Sequence, residues 1–385
     1  MSKIGVGIIG CGNISVSYLG LAPSFRALEI RAVADINMAA AQKRADKYGV
    51  RAMSVDDLLA AEDIDVVVNL TIPDAHYQVS KRILEAGKHV YSEKPFVLSL
   101  EEGEELRRIA TEKNLRVGSA PDTWLGGSHQ LARALIDEGK IGKVVGGSAH
   151  VMNHGMEHWH PNPDFFYKPG AGPVLDLGPY YISDLVQLIG PVKRVQGIAN
   201  TTIEKRIIGN GPRLGEELEV TTPTNVHAIL EFAQGAVVTL SASWDVWAHG
   251  HDPIEIYGED GSLFVPDPNF FGDDVEFQGP GTKRDKVERR DHPFGVANQI
   301  HRIEERALAN YRCAGLADMA QAIEEGREHR CNLDFALHVV EVMTKILEAG
   351  ESRQVIEMTT TCERPAALSP EEAQDLLVPV EPPEK

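Results

Sequence analysis

The chain reads as an α/β protein in two parts: a doubly wound parallel sheet, then a second domain with an open, mostly antiparallel sheet. Three observations predict this. Apolar runs alternate with amphipathic helical segments over roughly the first 120 residues. A glycine-rich turn, Gly10-Cys11-Gly12, closes the first apolar run. From Val192 to Val265, strand signals dominate and are separated by turn signals such as Gln234-Gly235 and Glu259-Asp260-Gly261. Alternation with continuous apolar strands argues a parallel sheet covered on both faces, and a run of consecutive strands argues antiparallel pairing.

The elements follow in order. Strands are predicted at Ile4–Ile9, Glu29–Ala34, Asp65–Leu70, Lys88–Tyr91 and Arg116–Ala120. Helices fall between them at Met38–Tyr48, Ala75–Ala86 and Leu100–Lys113, the last capped by Ser99 with Glu102 reaching back. Beyond residue 121, Ser128–Glu138 reads as a helix stopped by Gly139, and Val144–Val151 as a strand. Asn153–Gly172 is a loop rich in His, Pro and aromatics, and Val174–Ile189 has helical spacing. Gly279–Asp291 is a polar loop; Ile300–Asn310, Ala314–Glu325 and Leu333–Ala349 return to helical period. The expected domains are 1–121, 122–368 and an acidic, Pro-rich tail at 369–385, frayed or draped on the surface.

Composition narrows the function classes. The chain has 385 residues, with 38 Lys plus Arg against 57 Asp plus Glu, a net charge of −19. A surface this acidic repels phosphate backbones, so neither nucleic acid nor an anionic membrane is an expected partner. Cys11, Cys313, Cys331 and Cys362 form no CxxC pair and predict reduced thiols. The first apolar run carries too many glycines for a signal h-region, and no stretch reaches ~18 uninterrupted apolar residues. The expectation is a cytoplasmic protein.

Gly10-Cys11-Gly12-Asn13-Ile14-Ser15 matches GxGxxG except for Ser15, and it stands where that turn belongs, between a strand and a helix. Gly10 permits the tight turn, Gly12 lets the backbone approach a pyrophosphate, and a small Ser15 still allows close helix–strand packing. The plain alternative is a glycine-rich turn of any α/β fold. Asp35, 25 residues after Gly10, closes the second strand. A carboxylate there accepts both ribose hydroxyls and repels a 2′-phosphate, which favours NAD over NADP; a helix N-cap is the compatible alternative. Glu93-Lys94-Pro95 follows the fourth predicted strand, at the end of the sheet where ligands bind. A solvated Glu–Lys pair is the bland reading.

These motifs, the run Ala86-Gly87-Lys88-His89-Val90-Tyr91-Ser92-Glu93-Lys94-Pro95 and the later Gly170-Ala171-Gly172-Pro173-Val174-Leu175-Asp176-Leu177-Gly178-Pro179-Tyr180 together resemble the Gfo/Idh/MocA oxidoreductases over about residues 4–360. The resemblance implies an N-terminal Rossmann domain and a C-terminal α/β domain whose open sheet serves as an oligomer interface, giving a homodimer or homotetramer. It assigns Gly10, Gly12, Asn13 and Ile14 to the pyrophosphate turn and Asp35 to the ribose. Thr71, Pro73 and His76 resemble the TPxxxH stretch beside the cofactor. Glu93 and Lys94 match the EKP motif, whose lysine approaches the substrate oxygen and the nicotinamide. Asp176 matches an aspartate that binds a substrate hydroxyl. The acid/base histidine of the DxGxH pattern is Tyr180 here. This departure resembles the branch represented by glucose–fructose oxidoreductase and dihydrodiol dehydrogenase. Ser183 stands where the family often has an acid, and Asp184 is given no catalytic role.

Oxidising an alcohol needs a base for the hydroxyl proton and an acceptor for the hydride. An ordinary phenol holds its proton at neutral pH; a neighbouring ammonium favours the phenolate, and Lys94 is the candidate. The alternative for Tyr180 is a buried aromatic with a satisfied hydroxyl. In the loop, His154, Glu157, His158 and His160 have metal-ligand residue types, but Pro161 and Pro163 deny them a common helix face, and no metal is expected. Trp159 suits a sugar face, and His158 or His160 its hydroxyls; a purely structural loop is the alternative. Asp122-Thr123-Trp124 and Trp244–His249 are weaker pocket candidates. The leading expectation is an NAD-dependent dehydrogenase or reductase acting on a CH–OH or C=O group of a sugar, cyclitol or keto-glycoside. An NAD-assisted glycoside hydrolase or lyase and a non-catalytic dinucleotide-binding regulator are the alternatives.

Overall fold

The computed structural model describes residues 3–300 and 305–379. They pack as two compact units. The first combines the segment ending at Gly127 with Asp291–Leu337 and the segment from Pro365 onward; the second is Ser128–Arg290 with His338–Arg364.

In the first unit, β1 (Ile4–Ile9), β2 (Leu28–Ala34), β3 (Arg51–Met53), β4 (Val66–Asn69), β5 (His89–Ser92) and β6 (Val117–Ser119) form one sheet. Its order is β3-β2-β1-β4-β5-β6, and every pairing is parallel. The order reverses between β1 and β4, the switch point at which such sheets bind ligands. The helices are α1 (Ser15–Leu21), α2 (Met38–Tyr48), α3 (Val55–Ala60), α4 (Pro73–Glu85) and α5 (Leu100–Lys113). Local chemistry fixes their ends. Asn37 caps α2 by accepting from Ala39 N–H, and Gly49 ends it at φ 70°. Pro73, at the first position of α4, starts that helix two residues before the Ala75 expected. Ser99 caps α5 as expected, but Glu102 reaches past it to accept from Leu98 N–H. The brief β3 and α3 carry too little apolar periodicity to be read from sequence.

In the second unit, α6 (Gly127–Asp137), whose first residue belongs to the first unit, leads into β7 (Val144–Met152) and α7 (Pro173–Ile189). The strands β8 (Val192–Asn200), β9 (Lys205–Ile207), β10 (Glu217–Glu219), β11 (Asn225–Phe232), β12 (Val237–Ser243), β13 (Ile254–Gly258), β14 (Gly261–Val265), β15 (Glu276–Gln278) and β16 (Asp285–Lys286) follow. The main sheet runs β16-β15-β14-β13-β7-β12-β11-β8, with Ile356–Glu357 on the β8 edge. Only β7 and β12 pair in parallel. One face is covered by α7. Alternation is strict along β11, where Val226, Ala228 and Leu230 are buried and His227 and Ile229 are exposed on the other face.

The packing bears on three expectations. The division at 121 and 368 does not follow the packing units, because the later chain folds back onto the first sheet. There, α8 (Ala314–Glu325) packs against β6. Arg330, between α8 and α9 (Leu333–Ser352), donates to the carbonyls of Ala366 and Ala367. Of the two expectations for the tail, draping rather than fraying fits its described part: it forms α10 (Pro370–Leu376) with a Ser369/Glu372 capping box, and Ala373 and Leu376 are buried. The helix expected at Ile300–Asn310 lies partly outside the described residues; Ala307–Leu308, inside it, pairs instead as an antiparallel strand with Gln299–Ile300 at its start. Among the described residues, no helix is long and apolar enough to cross a membrane.

Three buried histidines set an acid limit on stability. Burial lowers the pKa of His292, His329 and His338 to about 4 in each case. His338 shows why the neutral ring is required: Nε2 accepts from Val192 N–H while Nδ1 faces the Thr360 hydroxyl. An unfolded histidine titrates near ~6.5. As pH falls below that value the unfolded chain takes up these protons and the folded chain does not, so stability falls until about pH 4. Three such protons correspond to about 4 kcal/mol per pH unit in mid-range. Urea unfolding between pH 7 and 5 is expected to show this decline, and His338→Gln to remove about a third of the slope. A flat profile would refute the assignment.

Candidate active site

The first unit assembles the dinucleotide-side residues at the carboxyl ends of β1, β2, β4 and β5. Gly10 sits at φ 106°, and a Cβ there would lie 2.5 Å from the Leu70 carbonyl oxygen. Only glycine lets β1 turn against the end of β4. Around Gly12 the reverse holds: a Cβ would meet no protein atom within 4 Å. That open backbone fits the close approach of a pyrophosphate. Asn13 is exposed and Ile14 half-buried. Ser15, in the place of the third glycine, is buried and turns its hydroxyl back onto the Gly12 carbonyl at 2.6 Å.

Asp35 is tied to this turn. Its Oδ2 accepts from Cys11 N–H and its Oδ1 from Asn37 N–H, each at 2.8 Å. A carboxylate has about four acceptor positions, so these two bonds orient Asp35 and leave lone pairs for ribose hydroxyls. Arg44, which sequence reasoning missed, clasps the turn from α2. Its Nε donates to Ser15 Oγ at 3.1 Å and to the Cys11 carbonyl at 3.2 Å, and its Nη2 donates to the Gly12 carbonyl at 3.0 Å. It brings a cation to the turn from a helix position no local motif marks.

The TPxxxH stretch and the EKP loop are joined through His76. This ring is buried, with Nδ1 2.6 Å from the Pro95 carbonyl and Nε2 3.1 Å from the Thr71 carbonyl. Its visible work is to hold two loops together. Thr71 is fixed by Asn69 Oδ1, which accepts from both its N–H and its hydroxyl. Glu93 is buried, not turned outward. It accepts from Lys94 N–H at 2.9 Å, from the Tyr18 hydroxyl at 3.1 Å and from Arg312 at 3.3 Å. Lys94 itself is half-buried at the end of β5. Lys88, in the same run, donates to the carbonyls of Ala61 and Ile64 at 2.7 Å. Part of this specific sequence therefore serves the fold. Asp122, Thr123 and Trp124 are all buried, and Asp122 accepts from the N–H groups of Cys313 and Gly315 at the start of α8.

In the second unit, Asp176 and Tyr180 lie four residues apart on α7 and so share one helix face. Asp176 is half-buried and Tyr180 buried. Asp184, one turn further, belongs to the interior. It accepts from His129 Nδ1 at 2.9 Å and from Gln187 Nε2 at 2.8 Å. Burial alone would lower the His129 pKa, but the Asp184 charge, its hydrogen bond and the Phe270 carbonyl raise it.

The histidine-rich loop is organised by an arginine. Arg206 is buried; it donates to Glu157 at 2.7 Å, to the His154 carbonyl at 3.1 Å, to the Trp244 carbonyl at 3.0 Å, and to Asp245. Glu157 also accepts from the Tyr167 hydroxyl. Beneath this network Met156, Tyr167 and Trp244 form an apolar cluster against which Leu177 of α7 packs, so the loop and the Asp176 turn share a core. His158 and Trp159 are exposed; the His160 ring stands edge-on to Trp159, Phe165 and Phe166. Trp244 and Trp247 part company: the first is in the core, while the second is 82% exposed and stacks on His154 at 3.4 Å.

Comparison with known proteins agrees with both halves of this description. Residues 4–120 match the family model described as an oxidoreductase family with an NAD-binding Rossmann fold, and residues 129–264 match the GFO/IDH/MocA C-terminal domain. An uncharacterized oxidoreductase of Schizosaccharomyces pombe is 34% identical over 139 residues, 35% of this chain and 37% of that protein. The chain thus spans little more than a third of that relative's length. Inositol 2-dehydrogenase of Rhizobium meliloti is 30% identical over 260 residues, covering 67% of this chain and 74% of the relative. The solved structure of a levoglucosan dehydrogenase in complex with NADH superposes with a TM-score of 0.77 at 21% identity, covering 93% of this chain and 100% of that one. With both domain models matched in chain order, this chain belongs to the Gfo/Idh/MocA oxidoreductase family.

Proposed function

We propose that the protein is an NAD-dependent dehydrogenase or reductase acting on a CH–OH or C=O group of a sugar, cyclitol or keto-glycoside. The observation that carries this reading is the clasp on Lys94. A buried carboxylate, Glu93, holds its backbone at the carboxyl end of β5, in the same unit as the open Gly12 turn and Asp35. Bound NAD supplies the hydride acceptor or donor. Gly10, Gly12, Asn13 and Ile14 hold the pyrophosphate, with the Arg44 guanidinium offsetting its charge, and Asp35 accepts the ribose hydroxyls. Lys94 donates to the substrate oxygen. Tyr180 takes the hydroxyl proton in oxidation and returns it in reduction, and Asp176 accepts from a neighbouring substrate hydroxyl. Trp159, with His158 and His160, offers an aromatic and hydrogen-bonding surface suited to a sugar ring. The name of the inositol dehydrogenase relative supports the polyol class.

The oligomer proposal rests on the uncovered sheet face. Ile198, Ile229 and Val237 are 52%, 48% and 44% exposed there, on the neighbouring strands β8, β11 and β12. Face-to-face pairing of two copies would bury them. The double variant Ile198→Asp, Ile229→Asp is expected to be monomeric by light scattering; an unchanged mass would remove this face from the assembly.

Two further outcomes test the chemistry. In a panel of sugars and polyols read at 340 nm, Lys94→Ala and Tyr180→Phe are each expected to lower kcat by about 10²-fold or more, with NADH affinity little changed. Activity within threefold of the parent in both variants would refute their roles. NADH absent from every substrate reaction, together with cleavage of a chromogenic glycoside, would favour the hydrolytic alternative. Asp35→Ser is expected to lower the preference for NAD over NADP by about tenfold, or ~1.4 kcal/mol of discrimination. An unchanged ratio would place cofactor selection elsewhere.

A further inference from the structure

The second unit also carries a histidine cluster that the proposed redox chemistry leaves unused. We propose that His150, His251 and Glu255 form a binding site for a divalent transition metal of the zinc class, on the uncovered face of the sheet. One ligand atom from each residue lies within 4.8 Å of the other two. Strand pairing creates this proximity. Glu255 of β13 faces Ser148 of β7, and His150 lies two residues beyond Ser148 on the same face. His251 is brought in by the connection between β12 and β13.

Hydrogen bonds from outside the cluster orient two of these side chains. His150 Nδ1 donates to the Asp252 carbonyl at 3.0 Å, which leaves Nε2 as the unprotonated nitrogen. Ligating histidines are held in this way, by a carbonyl or carboxylate on the other ring nitrogen. Asp252 is itself pinned: its carboxylate accepts two bonds from Arg284, at 2.6 and 2.7 Å. Glu255 Oε2 accepts from the Tyr257 hydroxyl at 2.7 Å, which orients the carboxylate and leaves Oε1 for an ion. The His251 ring stacks on His150 at 4.1 Å and is exposed, so it is the group free to tilt toward an ion. A tetrahedral ion with bonds of about 2.0–2.1 Å needs that closure. Two imidazoles and a carboxylate suit zinc, and with three protein ligands a fourth position stays open to water.

The test uses the full-length assembly, stripped with a chelator and dialysed. Titration with zinc chloride is expected to give one equivalent per chain with a dissociation constant at or below the micromolar range. Cobalt is expected to give visible absorption of tetrahedral intensity. His150→Ala and the isosteric Glu255→Gln should each weaken zinc binding at least tenfold, with far-UV dichroism and Tm confirming that the variants fold. His227→Ala, on the same face but outside the cluster, should bind as the parent does. The site is overturned by the absence of saturable one-equivalent binding, by binding that survives both cluster variants, or by equal losses in His227→Ala, which would mark a diffuse histidine surface.

Discussion

The buried carboxylate of Glu93 is the constraint on which the first unit's chemistry depends. A carboxylate out of water is costly unless donors surround it, and Glu93 has three: the Lys94 N–H, the Tyr18 hydroxyl and the Arg312 guanidinium. Each comes from a different part of the chain. Tyr18 lies on the helix that follows the glycine turn, Lys94 lies two residues beyond β5, and Arg312 directly precedes the Cys313–α8 junction. Breaking one partner of such a buried pair typically costs about 3–5 kcal/mol, because the charge left behind has no replacement. The position of Lys94 is therefore set by long-range contacts that also hold the sheet's carboxyl end together. His76 adds a second tie across the same loops, through the Thr71 and Pro95 carbonyls.

What could be read from the chain, and what could not, follows from range. The helices Met38–Tyr48 and Leu100–Lys113 match the reading because their determinants lie within a few residues: a side-chain cap at one end and a left-handed Gly49 or Asn114 at the other. The glycine turn and Asp35 were legible for the same reason, as a motif beside a strand end. Arg44, Arg312 and Arg206 were not. Each acts on residues tens to hundreds of positions away, and nothing local distinguishes it from a solvated arginine. The packing units were out of reach for a similar reason. A linear reading places all of 122–368 together, but Arg330 and α8 bond and pack onto the first unit through contacts made only in three dimensions.

The second unit solves the same problem with a different ion network. A loop carrying His154, His158 and His160 invites a metal reading, yet Glu157, the carboxylate among them, is already committed to Arg206 and Tyr167. The cation that organises the loop comes from β9, and Asp245 completes its neutralisation. This frame keeps Met156, Tyr167 and Trp244 together as a core and leaves Trp159 and Trp247 on the outside. The exposed aromatics are thus carried on a rigid base, the arrangement a recognition surface requires.

The histidines make the general argument, because one residue type takes different protonation and partner states in one chain. His338 accepts from a backbone N–H, so its buried ring must stay neutral. His129 faces a carboxylate on one nitrogen and a carbonyl on the other, so its buried ring favours the proton. His150 gives Nδ1 to a carbonyl and keeps Nε2 beside a second imidazole and a carboxylate, the environment that suits a cation other than a proton. His158 lies in the open, with its ring in solvent. Residue type and spacing therefore identify candidates, but the second partner of each ring decides which chemistry it can perform. That partner is supplied by strand register and burial, and neither can be read from the residue's own neighbourhood in the sequence.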